Sequence, residues 1–287
     1  MLPGPRTRPV EHRSPENQPL SWKSRIDMTP ELIGTLGDEL YDALCARTVV
    51  EPLTSRHPDI TIEHAYHIQQ RLISRRLQAG ERVVGKKIGV TSAAVMNMLG
   101  VYQPDFGYML DGMIVGDGSS IAMSSLIQPK AEGEIAFVLK KDLMGPGVTN
   151  ADVLAATDFV MPCFEIVDSR IRDWKIKIQD TVADNASCGM FVLGSSAVDP
   201  RRIDLRTCGM VLEKNGEVIA TGAGAAALGS PVNAVAWLAN TLGRLGIGLK
   251  GGEVILSGAL AAMFPAQAGD HFRVSIGGIG DCSVRFH

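Results

Sequence analysis

From residue 28 onward the chain shows two textures of apolar and polar positions. Leu32, Ile33, Leu36, Leu40 and Leu44 form one stripe at helical spacing, and Ala65, Ile68, Leu72, Ile73 and Leu77 form a second. This period predicts two amphipathic helices. Thr29 is placed to cap the first, with Pro30 in its first turn, and Gly80 closes the second, predicted over 62–79. From Val83 the pattern changes to short apolar runs punctuated by glycine, at 83–90, 107–118, 131–139, 159–168, 189–194, 210–221, 253–260 and 271–286. Such runs predict strands. Within 210–221, Asn215-Gly216 separates two apolar stretches and predicts a hairpin with a type I′ turn. Helical spacing returns at 148–156 and 231–245. The class expected is α+β, with helices mostly at one end. The expected organisation is a helical N-terminal portion over 28–84 and a strand-rich body over 85–287. Residues 1–27 are polar and proline-rich without periodic signal, and are expected to be a disordered leader, with Met28 the natural start.

Composition narrows the class of function. Of 287 residues, 45% are hydrophobic and 21% charged, a balance typical of globular enzymes. The formal charge is −3 and no block of five like charges occurs, which argues against a nucleic-acid partner. No apolar run is long enough to span a bilayer and the first residues are not signal-like, so a cytoplasmic protein is expected. Five cysteines, at 45, 163, 188, 208 and 282, form no C-x-x-C pair and are read as buried reduced thiols. His64 and His67 could share a helix face, for which a solvated surface is the simpler assignment. The glycines at 277, 278 and 280 precede a strand alternation rather than a helix, which excludes a nucleotide-binding loop.

Candidate chemistry lies in the run from Pro129 to Leu139, where Glu132 and Glu134 stand two apart at the start of an apolar strand. Residues i and i+2 share a strand face, so both carboxylates are expected to point toward the core beside Ala136 and Val138. Like charges so placed call for a cation. Glu165, a single acid inside another apolar run, repeats the setting. Three carboxylates without imidazole or thiolate are a hard oxygen set suited to Mg²⁺ or Mn²⁺ and poorly suited to zinc or copper. The same spacing also fits a solvated sheet edge, with salt bridges to Lys130, Lys140 or Arg170.

Gln128-Pro129-Lys130, Glu132-Gly133-Glu134 and Glu165-Ile166-Val167-Asp168-Ser169-Arg170 together resemble the 2-keto-4-pentenoate hydratases of the fumarylacetoacetate hydrolase-like superfamily. Similar agreement runs through 85–92, 103–107 and 180–189, so the resemblance covers about 28–286. It implies a mixed β-roll or sandwich-like body with a helical N-terminal portion, assembled as a homo-oligomer. It implies Mg²⁺ or Mn²⁺ on Glu132, Glu134 and Glu165, and a small 2-hydroxydienoate substrate from the meta-cleavage of aromatic rings. Water addition then gives a 4-hydroxy-2-oxo acid. The superfamily also contains 4-oxalocrotonate decarboxylases of the same pathways, with which such hydratases associate; these usually lack the aspartate matching Asp105.

Hydration moves protons twice, so an acid–base pair is needed beside the metal ligands, and Lys87 and Asp105 in matching motifs are the candidates. Lys87, beside apolar Ile88, is expected to have a lowered pKa. Alternatively, Lys86 and Lys87 are interchangeable salt-bridge partners and Asp105 is a turn residue after Pro104. Ser187 and Thr91 are candidate donors to the substrate carboxylate. Asp184 and Asn185 are candidates to orient Lys87 or a metal ligand. Arg170 and Arg172 are expected in surface or interface ion pairs. Leu260, Met263 and Phe264 fit a pocket wall and the core equally well.

Overall fold

A computed structural model describes residues 28–92, 96–97 and 100–287, so the expectation for 1–27 lies outside the described residues. In chain order the elements begin with helices α1 (Pro30–Ala46), α2 (Leu53–Arg56) and α3 (Ile62–Gln78), then strands β1 (Val83–Gly89), β2 (Asp105–Leu110), β3 (Ile114–Val115), β4 (Ser120–Ile121) and β5 (Pro129–Leu139). There follow α4 (Asn150–Ala156), β6 (Thr157–Asp168), α5 (Ile178–Ala183), β7 (Cys188–Leu193), β8 (Gly209–Lys214), β9 (Glu217–Ala223) and α6 (Pro231–Gly243). The chain ends with β10 (Val254–Leu256), β11 (Phe264–Pro265), β12 (His271–Ile276) and β13 (Gly280–Phe286).

The expected signals act where they stand. Thr29 Oγ1 accepts from the Leu32 N–H at the start of α1, and Asn215 and Gly216 both take positive φ in the β8–β9 turn. The class is α+β, as the alternation implied. His64 departs from expectation. It is buried, and its Nδ1 accepts from the Thr61 N–H while Thr61 caps the His64 N–H, so it closes a capping box instead of lying on a solvated face. Cys45 is exposed, unlike the other four thiols.

An eight-stranded sheet in the order β2-β1-β10-β5-β6-β7-β3, with β11 also on β5, packs against a five-stranded sheet in the order β4-β13-β12-β8-β9. Strand alternation divides the large sheet between two cores. Ile135, Phe137, Phe164, Ile166 and Ile255 face the second sheet and α6. Ala136, Cys163, Phe191 and Leu256 face the other way, into a core shared with Leu36 and Leu40 of α1, Ile68 and Leu72 of α3 and Val182 of α5. The helices cover that face, and Glu132 and Glu134 belong to it by register. No helix among the described residues is long and apolar enough to cross a membrane.

Candidate metal centre

β5 and β6 run antiparallel with Glu132 directly opposite Glu165, and Glu134 opposite Cys163. Like charges facing across a ladder are destabilising unless something intervenes. One carboxylate oxygen from each of Glu132, Glu134 and Glu165 lies within 4.8 Å of the others. Glu134 and Glu165 are fully buried, whereas Glu132 keeps partial contact with solvent. The Gly258 N–H donates to Glu134 Oε2 at 2.8 Å, but among the described residues Glu134 Oε1 and both Glu165 oxygens are buried without a well-formed hydrogen bond. Three convergent oxygen donors of this kind suit a divalent ion of hard character. The alternative of a solvated edge is overturned: Lys140 reaches Asp158 and Arg170 pairs with Asp184.

Burial, reinforced by Glu165 and then Glu132, holds the Glu134 carboxyl well above the usual range; burial and Glu165 push Glu132 up to about 7. Burial also raises Glu165, against the pull of Lys87. Lys87 Nζ stands 3.1 Å from Glu165 Oε1. The expectation of a lowered Lys87 pKa is not met. Burial does favour the neutral amine, but Glu165, Asp105 and Glu132 outweigh it and hold the ammonium above its ordinary range. Lys86 and Lys87 are not interchangeable, since Lys86 leaves the opposite face of β1 for Glu253 at 2.7 Å.

Asp105 is the first residue of β2 and not a turn residue, and it pairs with Gly89 across the ladder. A Cβ on Gly89 would come 2.2 Å from Asp105 Oδ1 and 3.3 Å from Lys87 Nζ, so the glycine makes the space into which both groups point. Burial raises the Asp105 pKa, with Lys87 opposing. Thr91 is buried against Gly258, whose φ of 105° and close approach to Thr91 exclude a side chain. The backbone donor for Glu134 was not anticipated. Its only trace in the sequence is the Ser257-Gly258 break after an apolar run.

Ser187 is buried with its Oγ 3.1 Å from Thr181 Oγ1. Asn185, Ala186 and Ser187 all take positive φ, a left-handed turn that non-glycine residues adopt only under constraint. The constraint comes from Arg170 and Asn185. Arg170 is not a surface or interface group: it is fully buried, it pairs with Asp184, and it donates to the Asp168, Cys188 and Asp184 carbonyls. Asn185 binds the Tyr108 backbone with both ends of its amide. Asp184 and Asn185 therefore act on Arg170 and β2 rather than on Lys87 or a ligand. Arg172 is exposed and pairs with Glu51, while Leu260 joins the core between the sheets.

A family model described as fumarylacetoacetate hydrolase C-terminal matches residues 91–287. The chain is 71% identical over 221 residues to a 2-hydroxypent-2,4-dienoate hydratase of Pseudomonas putida, which covers 77% of this chain and 100% of that protein. It is 58% identical over 258 residues to a 2-hydroxyhexa-2,4-dienoate hydratase of Comamonas testosteroni, covering 89% of this chain and 98% of the relative. Among solved structures, the 4-oxalocrotonate decarboxylase of Pseudomonas putida G7, complexed with magnesium and adipate, superposes with a TM-score of 0.89 at 39% identity, covering 92% of this chain and 100% of that one.

Proposed function

The chain belongs to the fumarylacetoacetate hydrolase family, and from that premise we propose that it is a hydro-lyase adding water to 2-hydroxypenta-2,4-dienoate, or a close homologue, to give a 4-hydroxy-2-oxo acid. Breakdown of aromatic rings by meta-cleavage is the setting in which such a substrate arises. The observation that carries the reading at the site is the convergence of Glu132, Glu134 and Glu165 beside Lys87 and Asp105. Identity to named hydratases, higher than that to the decarboxylase, favours water addition over loss of CO₂.

Glu132, Glu134 and Glu165 would hold Mg²⁺ or Mn²⁺, supported by the Glu134 and Glu165 oxygens that have no well-formed hydrogen bond among the described residues and by the magnesium in the related decarboxylase. When bound, the ion supplies Lewis acidity at the oxygens on C1 and C2 of the substrate. Lys87, held as an ammonium, is the group to deliver a proton to C5, and the proton leaving the C2 hydroxyl restores it. Asp105, an acceptor with a raised pKa, takes a proton from the water that bonds to C4 and returns it to C3. Ser187 and Thr91 are the hydroxyls assigned to the substrate carboxylate. A homo-oligomer in the cytoplasm, associating with the decarboxylase of its pathway, completes the proposal.

Purified protein supplied with Mg²⁺ or Mn²⁺ is expected to consume the dienol and form 4-hydroxy-2-oxopentanoate, resolved by mass spectrometry. Release of CO₂ from 2-oxohex-3-enedioate with no hydration of the dienol would make it a decarboxylase instead. A Glu134→Ala protein that folds by circular dichroism yet keeps full turnover would remove the metal assignment.

A further inference from the structure

Along β5, Lys130, Glu132, Glu134 and Ala136 succeed one another on a single face. Exposure rises outward along this row: Ala136 and Glu134 are buried, whereas Glu132 and Lys130 keep partial contact with solvent. Lys87 pairs with Leu256 and Leu256 with Ala136, so Lys87 starts level with Ala136 and reaches the glutamates from the inner end. Lys130 stands at the outer end, level with Val167 and one step beyond the Glu132–Glu165 pair. Two lysines therefore flank the carboxylates from opposite ends of one row.

Lys87 is committed to Glu165, but among the described residues no salt bridge holds Lys130. Its ammonium lies over the face of Trp174, 4.1 Å from the ring centroid. That indole is built into place. Its Nε1 donates to the Gln128 carbonyl at 3.0 Å, while the Gln128 side chain donates to the Ser169 and Ile171 carbonyls and accepts from the Asp173 N–H. Asp173 and Trp174 take φ of 56° and 55°, a left-handed conformation that residues with side chains hold only where the surroundings impose it. A ring face attracts a cation without neutralising it, and leaves ammonium protons to be donated to an anion. A substrate carboxylate has to approach past Glu132, the most exposed of the three acids, and a cation one step outside Glu132 offsets that repulsion.

We propose that Lys130, seated on Trp174, binds the C1 carboxylate of the substrate by a charge-assisted hydrogen bond, beside the hydroxyls already assigned to that group. The direction in which the substrate lies rests on the hydratase reading. Lys87 and Asp105 act on C3, C4 and C5 from the inner end of the row, so C1 points outward, toward Lys130. A group bound to C1 recognises the 2-oxo acid end shared by every substrate of this class and is indifferent to the tail.

The probe is 2-oxopentanoate, which carries the same C1–C2 end and has no double bond to hydrate. Calorimetry measures its binding to the full-length protein loaded with Mg²⁺, alongside the binding of Mg²⁺ itself. Lys130→Met keeps an unbranched stem on the indole and removes the charge. It is expected to weaken 2-oxopentanoate about tenfold or more, with Mg²⁺ affinity within about threefold of wild type. Lys130→Arg should recover most of the loss, and with the dienol the defect should fall on KM rather than kcat. Unchanged 2-oxopentanoate affinity in Lys130→Met would overturn the assignment, as would an equal loss of Mg²⁺ affinity, or a loss shared in full by Lys130→Arg. If Lys130→Met does not fold, Lys130→Gln is held to the same criteria. A wild-type protein that binds 2-oxopentanoate through Lys130 but adds no water to the dienol would sink the hydratase reading and leave the carboxylate contact standing.

Discussion

Lys86 and Lys87 are neighbours in sequence and leave β1 on opposite faces: Lys86 Nζ reaches Glu253 at 2.7 Å, whereas Lys87 Nζ reaches Glu165 at 3.1 Å in the carboxylate centre. The two positions should separate function from stability. Lys87→Met is expected to lower kcat by about 10²–10⁴-fold, the usual contribution of a positioned acid or base. Lys86→Met leaves Glu253 without its ammonium partner, with only the Lys250 N–H still donating to it, and should cost about 1–3 kcal/mol of stability while kcat stays within a few-fold. Steady-state kinetics with urea unfolding of both variants checks the contrast; similar loss of turnover in both would refute it.

Metal binding should be linked to proton release. In the metal-free protein the Glu132 carboxyl is pushed up to about 7, above its ordinary value near 4.5. A folded pKa above the unfolded one contributes stability that is present below about 4.5 and lost as pH rises through about 7. The metal-free protein should therefore lose thermal stability from pH 5.5 to 8, and Mg²⁺ should restore most at the upper end. Affinity should climb as pH rises through about 7 and the competing proton on Glu132 is lost. Calorimetry in buffers of different ionisation enthalpy measures the protons released; none released at pH 6 would contradict the account.

Much of this centre was readable from sequence because strand period and residue type carry it. Glu132 and Glu134, two apart in an apolar run, had to share a face, and Glu165 repeated their setting. What escaped were partners set by tertiary contact. Nothing local places the Gly258 N–H on Glu134, brings Tyr66 and Gln69 of α3 onto Phe106, or buries Arg170 against Asp184. An arginine in a polar loop reads as a surface group, and it is the return of Asp184 and Cys188 to the end of β6 that encloses it. His64 departs from expectation for a related reason: its role depends on the helix starting at Ile62 after a Thr61 cap.

Gly89 is required by the side chains opposite it. A methyl group there would collide with Asp105 Oδ1 and crowd Lys87 Nζ. Gly89→Ala should fold, since both contacts are with side-chain ends that can turn away, at a cost of about 1–3 kcal/mol. Displaced groups of this kind lose catalysis far more than stability, and kcat should fall by about 10²-fold. Assays of kcat beside thermal melts decide it; unchanged kcat would mean that Asp105 and Lys87 need not share that space.

Arg170 and Asp184 provide a pH-dependent test of how the Asn185–Ser187 turn is held. Burial pushes Asp184 up to about 6 even with the Arg170 charge opposing it. Removing the arginine in Arg170→Met strips that opposition, so the Asp184 pKa should rise further and the buried carboxyl should be tolerated mainly in its protonated form. By linkage, a pKa raised above the ordinary 3.8 gives stability that is lost as pH climbs through the folded value. The variant should thus be destabilised by about 3–5 kcal/mol near pH 8 and by visibly less near pH 6. Asp184→Asn in the same background removes the charge and should flatten the pH dependence, while leaving the Asp168 and Cys188 carbonyls still without the donors they lost. Urea unfolding of both proteins across pH 6–8 makes the comparison. If Arg170→Met loses the same stability at both ends of that range, the arginine serves through its carbonyl hydrogen bonds alone and not through its charge.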